Sequence, residues 1–334
     1  MNARISILLP VRNEARFLPP ALSSIFRQTF RDWELVAVDD GSTDETAEIL
    51  HAAAREDTRV RLVAAPERGL VPALNAGLAF CTAPLVARMD GDDISHPRRL
   101  ELQHAFMEQH PEVALVACNF RHFPRQNLRI GMLAYEKWQN SLSDHEEALR
   151  DLFVESPFVH PSVMFRKEAV LQVGGYRDMG WAEDYDLWQR LAAAGARFER
   201  LPQTLFFWRD RHERATRTMI EYSAEAFRAC KLHHLQKGFL SGVDEVVLAG
   251  AGMEGRRWRA ALAAAGIGVR CWVDVDPRKI GRVLHGSPVI PPDQIRADSG
   301  KMLVTIGTRG ARDGIRAWAV AAGLREGYDF VCVT

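Results

Sequence analysis

The chain has 334 residues, enough for two ordinary domains, and 47% of them are hydrophobic while 26% are charged, a composition that excludes a largely disordered protein. Lys and Arg together number 43, as do Asp and Glu, so the chain has no net charge that would attract nucleic acid. We therefore do not expect nucleic acid as a partner. The five cysteines are scattered, without Cys-x-x-Cys spacing, which is typical of reduced thiols in a cytoplasm.

The N-terminal residues lead directly into the apolar run Ile5–Leu9. This run is much shorter than the core of a signal sequence or a membrane span, and no later run is longer. We therefore expect a cytoplasmic protein without a transmembrane segment, with peripheral contact at the inner face of a membrane left open.

The first hundred residues alternate short apolar strands with helices. Strands are predicted at Ile5–Leu9, Leu35–Val38, Val60–Val63 and Leu85–Met89, and helices at Leu18–Phe30, Thr43–Arg55 and Val71–Phe80. This alternation predicts a mainly parallel, doubly wound α/β sheet. Ligands of such sheets bind beyond the carboxyl ends of the strands.

Residues 101–175 are less regular, and further helices and a strand follow up to about residue 236. The patterns predict helices at Leu100–Gln109, Asp184–Ala194 and Met219–Gln236, strands at Val113–Cys118, Val159–Phe165 and Leu205–Arg209, and a polar insertion over Arg121–Leu142.

The alternation restarts near residue 243. Strands at Val246–Ala249, Val269–Val273, Leu303–Ile306 and Phe330–Val333 enclose helices at Met253–Ala265 and Ile315–Ala322. We therefore predict a first domain over residues 1–218, a linker helix and turn over 219–242, and a small Rossmann-like α/β domain over 243–334.

Three carboxylates follow the strand Leu85–Met89, at Asp90, Asp92 and Asp93. Like charges this close repel each other unless a cation or hydrogen bonds compensate. Asp90 and Asp92 point the same way on an extended strand end, so together they suit one Mn²⁺ or Mg²⁺ that also binds diphosphate oxygens. A solvated Asp-Gly turn, with Arg88 as ion-pair partner, is the competing interpretation.

A second acidic group, Asp39 and Asp40, follows the strand Leu35–Val38. Its position favours binding of a ribose hydroxyl or a base N–H. Ser42 and Glu45 have the spacing of a capping box and predict the start of the next helix.

Several motifs resemble those of family-2 glycosyltransferases and occur in the same order. They are Leu9–Glu14, Gln28-Thr29, Val38–Asp44, Arg68-Gly69, Asn75–Leu78, Arg88–Asp93, His160–Ser162, Gly174–Tyr176 and Glu183–Trp188. The resemblance extends to about residue 210. Val11-Arg12 departs from it slightly, since family members often carry Tyr between the Pro and the Asn.

The resemblance implies a GT-A fold and an inverting glycosyltransferase of the hexosyltransferase type. The implied donor is a nucleoside-diphosphate sugar, UDP-linked, and the implied acceptor is a glycan or lipid-linked molecule of cell-surface polysaccharide or glycan synthesis. Motif matching places the following residues in the donor site: Pro10, Val11, Asn13, Glu14, Asp39, Asp40, Arg68, Asn75, Arg88, Asp90 and Gly91. Asp90 and Asp92 match the metal-binding pair, with Asp93 as a weaker candidate.

Inversion by a single displacement requires a general base on the acceptor side. Asp184 matches the family's catalytic carboxylate, with Glu183 as the lesser candidate, although both acids would also complement the positive end of a helix. His160 is a weaker site candidate. Trp188, at the same helix, is more simply explained as a core residue.

The C-terminal domain carries a Gly-x-Gly-x-x-Gly loop between a strand and a helix. Gly250, Gly252, Gly255 and the strand-ending Asp274 have the spacing of a nucleotide-binding turn, so a second nucleotide is a candidate ligand. Glycines that merely make a tight turn are the alternative.

Two other functions remain open from the sequence. One is a nicotinamide-dependent sugar oxidoreductase that uses the Gly250 loop, and the other is a nucleotide-sensing scaffold with a degenerate transferase domain.

Overall fold

A computed structural model describes residues 3–211, 219–308 and 310–334. Within those ranges, no helix combines the length and the apolar character needed to cross a membrane. The chain divides into two compact units. The first comprises Met1–Ala148, Pro157–Met179 and Glu183–Thr218, and the second Leu149–Ser156, Gly180–Ala182 and Met219–Thr334.

The first unit is built on an eight-stranded sheet. Its strands are β1 Ile5–Val11, β2 Trp33–Asp39, β3 Val60–Ala64, β4 Leu85–Arg88, β5 Ile94–Ser95, β6 Val113–Phe123, β7 Met164–Arg166 and β8 Arg197–Arg209. Their order is β3-β2-β1-β4-β7-β6-β8-β5. Strands β1 to β4 run parallel, whereas β7 is antiparallel to β4 and β6. The predicted α/β fold with a mainly parallel sheet is confirmed.

Helices cover this sheet and bury the apolar residues of its strands. They are α1 Leu18–Phe26, α2 Thr46–Glu56, α3 Leu70–Phe80, α4 Arg99–Gln109, α5 Ile130–Ser141, α6 His145–Arg150, α7 Lys167–Gln172 and α8 Glu183–Ala193. Ile5, Leu35 and Leu85 of neighbouring strands join Leu18 and Leu22 of α1 in one core. This core fixes the strand ends that carry the site.

Three local predictions in the first unit are wrong. The strand Val159–Phe165 is instead a 3-10 turn at His160–Ser162 followed by β7, because Pro161 lacks an N–H and Ser162 N bonds back to Val159 O at 2.9 Å. The strand predicted to end at Cys118 continues to Phe123, since its last residues pair with β8. The capping box is absent too, because Ser42 bonds to Asp39 and α2 begins only at Thr46.

The second unit holds a six-stranded sheet with its own core. Its strands are β9 Glu245–Ala249, β10 Gly268–Val273, β11 Val283–Leu284, β12 Ser287–Ile290, β13 Met302–Val304 and β14 Phe330–Cys332, and its helices α9 Ala224–Lys237, α10 Met253–Ala264 and α11 Ala311–Ala321. The strand order is β11-β12-β10-β9-β13-β14. The helix predicted from Met219 begins later, because the Ser223 side chain accepts a hydrogen bond from Ala226 N and caps α9.

Candidate functional site

The carboxyl ends of β2, β1 and β4 lie side by side at one edge of the first unit's sheet. β1 pairs with β2 on one side and with β4 on the other, which makes this edge the topological switch point where open α/β sheets bind ligands. Asp40 N donates to Val11 O at 2.9 Å, and Met89 N donates to Leu8 O at 3.1 Å. The fold thus brings together the motifs that follow these strands.

The loops after β1 and β2 are joined by side-chain hydrogen bonds. Asn13 has a positive φ of 54°, its N donates to Ser42 Oγ at 3.0 Å, and its Oδ1 accepts from Thr43 N at 2.8 Å. Ser42 Oγ in turn donates to Asp39 Oδ1 at 2.5 Å. Ser42 therefore holds the Asp39 carboxylate in place.

Asp40 is buried and anchors the loop that begins α3. Its Oδ1 accepts from Gly69 N at 2.7 Å, and the Arg12 guanidinium lies 3.7 Å from its other oxygen. The Arg68 side chain lies against Gly41. The structure therefore brings Arg68 to the Asp39-Asp40 end of the site.

The acidic residues after β4 form one cluster. Asp90, Asp92 and Asp93 each offer an oxygen within 4.8 Å of the others. Arg88 is buried and donates to Asp90 Oδ1 at 2.5 Å. A Cβ on Gly91 would lie 2.7 Å from Val11 Cγ1 and 3.2 Å from Glu14 Cγ, so only glycine lets the acidic turn pack this closely against β1.

A second group of polar residues lies near Arg88, close enough for Tyr176 and Glu183 to act on its charge. His160 is buried, and its Nε2 lies 2.8 Å from Tyr176 Oη while its Nδ1 lies 3.4 Å from Glu183 Oε1. Burial and the adjacent Glu183 raise the pKa of Asp184 well above its usual range, and the Arg88 guanidinium opposes this. Arg88 thus acts electrostatically on both Asp90 and Asp184.

Two of the motif residues make contacts that support the fold: Asn75 through hydrogen bonds and Trp188 through packing. Asn75 bonds through its side-chain amide to both main-chain groups of Tyr176. Trp188 is fully buried and packs edge-on against Phe158 and His160. The interpretation of Trp188 as a core residue is confirmed.

Two arginines that the sequence did not indicate also reach the acidic cluster. Arg209 donates through its N to Asp93 Oδ1 and through its Nε to Asp92 O, both at 2.6 Å. Arg211 donates through Nε to Asp92 Oδ2 at 2.8 Å and through Nη2 to Glu14 Oε1. The local clue was the pair of basic residues at the end of an aromatic strand, since Arg211 and Asp92 are 119 residues apart.

Glu14 lies at the acidic cluster. Its pKa is raised to about 7, chiefly by burial and also by the Asp92 carboxylate, against the lowering effect of Arg211. Its Oε2 is buried and has no hydrogen-bond partner among the described residues. Glu14 therefore contributes a fourth carboxylate beside Asp90, Asp92 and Asp93.

In the glycine loop of the second unit, the side chain of Asp274 is held by hydrogen bonds and an ion pair. Asp274 accepts from Ala251 N at 3.0 Å and from Asp276 N at 2.9 Å, and it pairs with Lys279 at 2.8 Å. Although burial raises the pKa of Asp274, the Lys279 hydrogen bond and the main-chain donors lower it overall. Nucleotide binding by Gly250, Gly252, Gly255 and Asp274 stays a prediction.

Comparisons with known sequences agree with the motifs. The family model of Glycosyl transferase family 2 matches residues 6–174. The amylovoran biosynthesis glycosyltransferase AmsE of Erwinia amylovora is 33% identical over 246 residues, which cover 71% of this chain and 89% of that protein. A UDP-Gal:alpha-D-GlcNAc-diphosphoundecaprenol beta-1,3-galactosyltransferase of Escherichia coli is 28% identical over 248 residues, covering 73% and 88%.

The fold comparison agrees with the sequence comparisons. The crystal structure of S. aureus TarS in complex with UDP-GlcNAc matches with a TM-score of 0.53 and 16% identity over 71% of this chain and 67% of that chain. This likeness supports the GT-A architecture, and the relatives favour glycosyl transfer over the oxidoreductase and scaffold alternatives. The chain belongs to glycosyl transferase family 2 and is a glycosyltransferase with a GT-A fold.

Proposed function

We propose that this glycosyltransferase moves a hexosyl group from a UDP-linked sugar to a glycan or lipid-linked acceptor, with inversion at the anomeric carbon. The product belongs to cell-surface polysaccharide synthesis. The name of the Erwinia relative places that protein in amylovoran biosynthesis. The name of the Escherichia relative gives a UDP sugar as donor and a diphosphoundecaprenol-linked sugar as acceptor.

The observation that carries the proposal is the acidic cluster at the switch point. Asp90, Asp92 and Asp93 bring carboxylate oxygens within 4.8 Å of one another, and Mn²⁺ and Mg²⁺ prefer such hard oxygen ligands. The residues thus fit a divalent cation, with Asp90 and Asp92 as its ligands. A bound cation would supply positive charge that stabilises the departing diphosphate.

The neighbouring loops suit the nucleoside end of the donor. Asp39 and Asp40 follow β2 directly, and both are held by hydrogen bonds from the chain, from Ser42 and from Gly69. Carboxylates fixed in this way are ready to accept from a ribose hydroxyl or a base N–H without reorganising. The donor would therefore extend from the end of β2 to the end of β4.

Asp184 is the proposed general base. It would take the proton of an acceptor hydroxyl while that oxygen forms its bond to the anomeric carbon. The bond from this carbon to the diphosphate oxygen breaks in the same step, and its electron pair leaves with the nucleoside diphosphate. The raised pKa of Asp184 makes it a stronger base once ionised.

A screen of nucleotide sugars tests this proposal. Thermal shift with each sugar, with and without Mn²⁺, should give the largest stabilisation with a UDP sugar plus Mn²⁺. Asp92→Asn should lose the Mn²⁺-dependent part of this stabilisation and Mn²⁺-dependent donor hydrolysis. Asp57→Asn is the matched control, because Asp57 pairs with Arg59 on the surface and should behave as the wild type. Equal responses of all three proteins to Mn²⁺ would contradict the proposed metal centre.

A further inference from the structure

We propose that Arg211 is an exchangeable counter-cation of the acidic cluster. In the donor-free enzyme its guanidinium pairs with Asp92, and this contact must break before a divalent cation binds Asp92. This inference rests on the proposed metal centre. It assigns to Arg211 a positioning and gating role that follows from its contacts.

The first support is the direct competition for one oxygen atom. Arg211 Nε donates to Asp92 Oδ2 at 2.8 Å. A metal ion bound through Asp92 Oδ2 would lie close to the Arg211 guanidinium, because both would contact the same oxygen. The two positive charges would then repel each other strongly. Metal binding at that oxygen therefore opposes the contact with Arg211.

The second support is the charge of the cluster. Asp90, Asp92 and Asp93 bring three carboxyl groups together, and Glu14 adds a fourth, because Arg211 contacts both Glu14 and Asp92. Arg211 bridges Glu14 and Asp92 through two of its nitrogen atoms. It therefore relieves the repulsion between two carboxylates in the way that a bound cation would.

The third support is the contrast between Arg211 and Arg88. The Arg88 side chain is 3% exposed and also donates to the neighbouring Met89 O. Moving it would leave the partly buried Asp90 without its positive partner. The Arg211 side chain is 20% exposed and lies beyond the last residue of β8. Its guanidinium can return to water at lower cost, which makes Arg211 the cation suited to exchange.

Mn²⁺ binding to the donor-free, full-length enzyme tests the proposal without any measurement of activity. The free Mn²⁺ signal in electron paramagnetic resonance gives the dissociation constant. We expect Arg211→Gln to bind Mn²⁺ about tenfold more tightly than the wild type, because a competing positive charge beside the metal has been removed.

Two variants control this measurement. Arg12→Gln removes the same charge from the Asp40 end of the site, where Arg12 lies 3.7 Å from Asp40, and it should change the Mn²⁺ dissociation constant much less. Adding Asp92→Asn to Arg211→Gln should abolish the gain, which would place the bound Mn²⁺ at Asp92.

Equal Mn²⁺ affinities of wild type and Arg211→Gln would overturn the exchange. Weaker UDP binding by Arg211→Gln with unchanged Mn²⁺ affinity would also overturn it, and would assign Arg211 to the diphosphate. A failure of every protein to bind Mn²⁺ would refute the proposed metal centre itself, and the inference would fall with it.

A crystal structure of the wild type with Mn²⁺ and UDP gives a second test that needs no variant. The exchange requires that Arg211 Nε no longer contacts Asp92 Oδ2 in that complex. A retained contact with Mn²⁺ bound in the cluster would overturn the proposal.

Discussion

Asn75 and Tyr176 are 101 residues apart in the chain, yet the Asn75 amide bonds to both main-chain groups of Tyr176. Asn75 Nδ2 donates to Tyr176 O at 2.9 Å, and Tyr176 N donates to Asn75 Oδ1 at 3.0 Å. The neighbouring Gly175 packs so closely that a Cβ there would lie 2.8 Å from Asn75 Oδ1. This contact connects α3 to Tyr176, whose hydroxyl group is the hydrogen-bond partner of His160.

Removing this amide should destabilise the fold and weaken donor binding together. We expect Asn75→Ala to lower the free energy of unfolding by about 1–3 kcal/mol, because two main-chain groups lose their partners. Asn140 is a matched control, since its amide bonds in the same way to both main-chain groups of Phe120. Asn140→Ala should lose similar stability in urea denaturation but keep the thermal shift with a nucleotide sugar. Equal losses of donor binding would contradict a specific role for Asn75.

The general-base assignment predicts a separation of binding from transfer. Asp184→Asn should retain the thermal shift with donor and Mn²⁺, while the rate of transfer falls by roughly 10²–10⁴-fold. Asp186→Asn, which breaks an ion pair of 2.7 Å with Arg190 on the same helix, should keep its transfer activity. Undiminished transfer by Asp184→Asn would remove this residue from the base role.

Buried His160 predicts a pH dependence of stability. Burial lowers the pKa of His160, and the Arg88 guanidinium lowers it further, while Glu183 and Asp90 oppose this. The unfolded chain takes up a proton near pH 6.5 that the folded chain resists, so this contribution to stability is complete above about pH 6.5 and is lost as the pH falls through the lower folded pKa.

Denaturation of the wild type and His160→Gln over this pH range measures the effect. The loss of stability on acidification should be smaller in His160→Gln, because the variant has no imidazole to protonate at this site. His104→Gln provides a comparison, since burial also lowers the pKa of His104, and it should flatten the profile as well. Identical profiles of wild type and His160→Gln would refute the assignment.

The glycine loop of the second unit offers a pair of contrasting substitutions. A Cβ on Gly255 would lie 2.0 Å from Gly250 O, a main-chain atom that cannot move aside, whereas a Cβ on Gly252 would meet no atom within 4 Å. Gly255→Ala should therefore destabilise the protein by about 1–3 kcal/mol, and Gly252→Ala should leave its stability nearly unchanged.

Gly252 also tests the predicted second nucleotide site. Gly252→Asp would place a carboxylate at the start of α10, where a phosphate would otherwise bind. If a nucleotide is needed there, the variant should lose the associated thermal shift while the protein stays folded. Full activity and unchanged assembly of Gly252→Asp would show that the loop binds nothing that the enzyme requires.

Local patterns in the sequence were sufficient for much of the fold. Alternating apolar strands and helices predicted β1 to β4 and α1 to α4, because burial of each element imposes its own periodicity. The sequence also placed Asp90 and Asp92 directly after a strand, and the motif order indicated the family. The 3-10 turn at His160–Ser162 escaped this reasoning because apolar residues around Pro161 suit a short strand equally well.

Only the tertiary structure decided which distant side chains meet. Sequence spacing favoured Ser42 as a helix cap, but the loop after β1 brings Asn13 to it, and Ser42 instead orients Asp39. Strand β8 returns the chain to the acidic cluster and delivers Arg211 to Asp92 and Glu14. Such contacts leave no local pattern, because they depend on the pairing of strands that lie far apart in the chain. The sequence by itself thus determined the acidic residues, and the fold determined which cation compensates them.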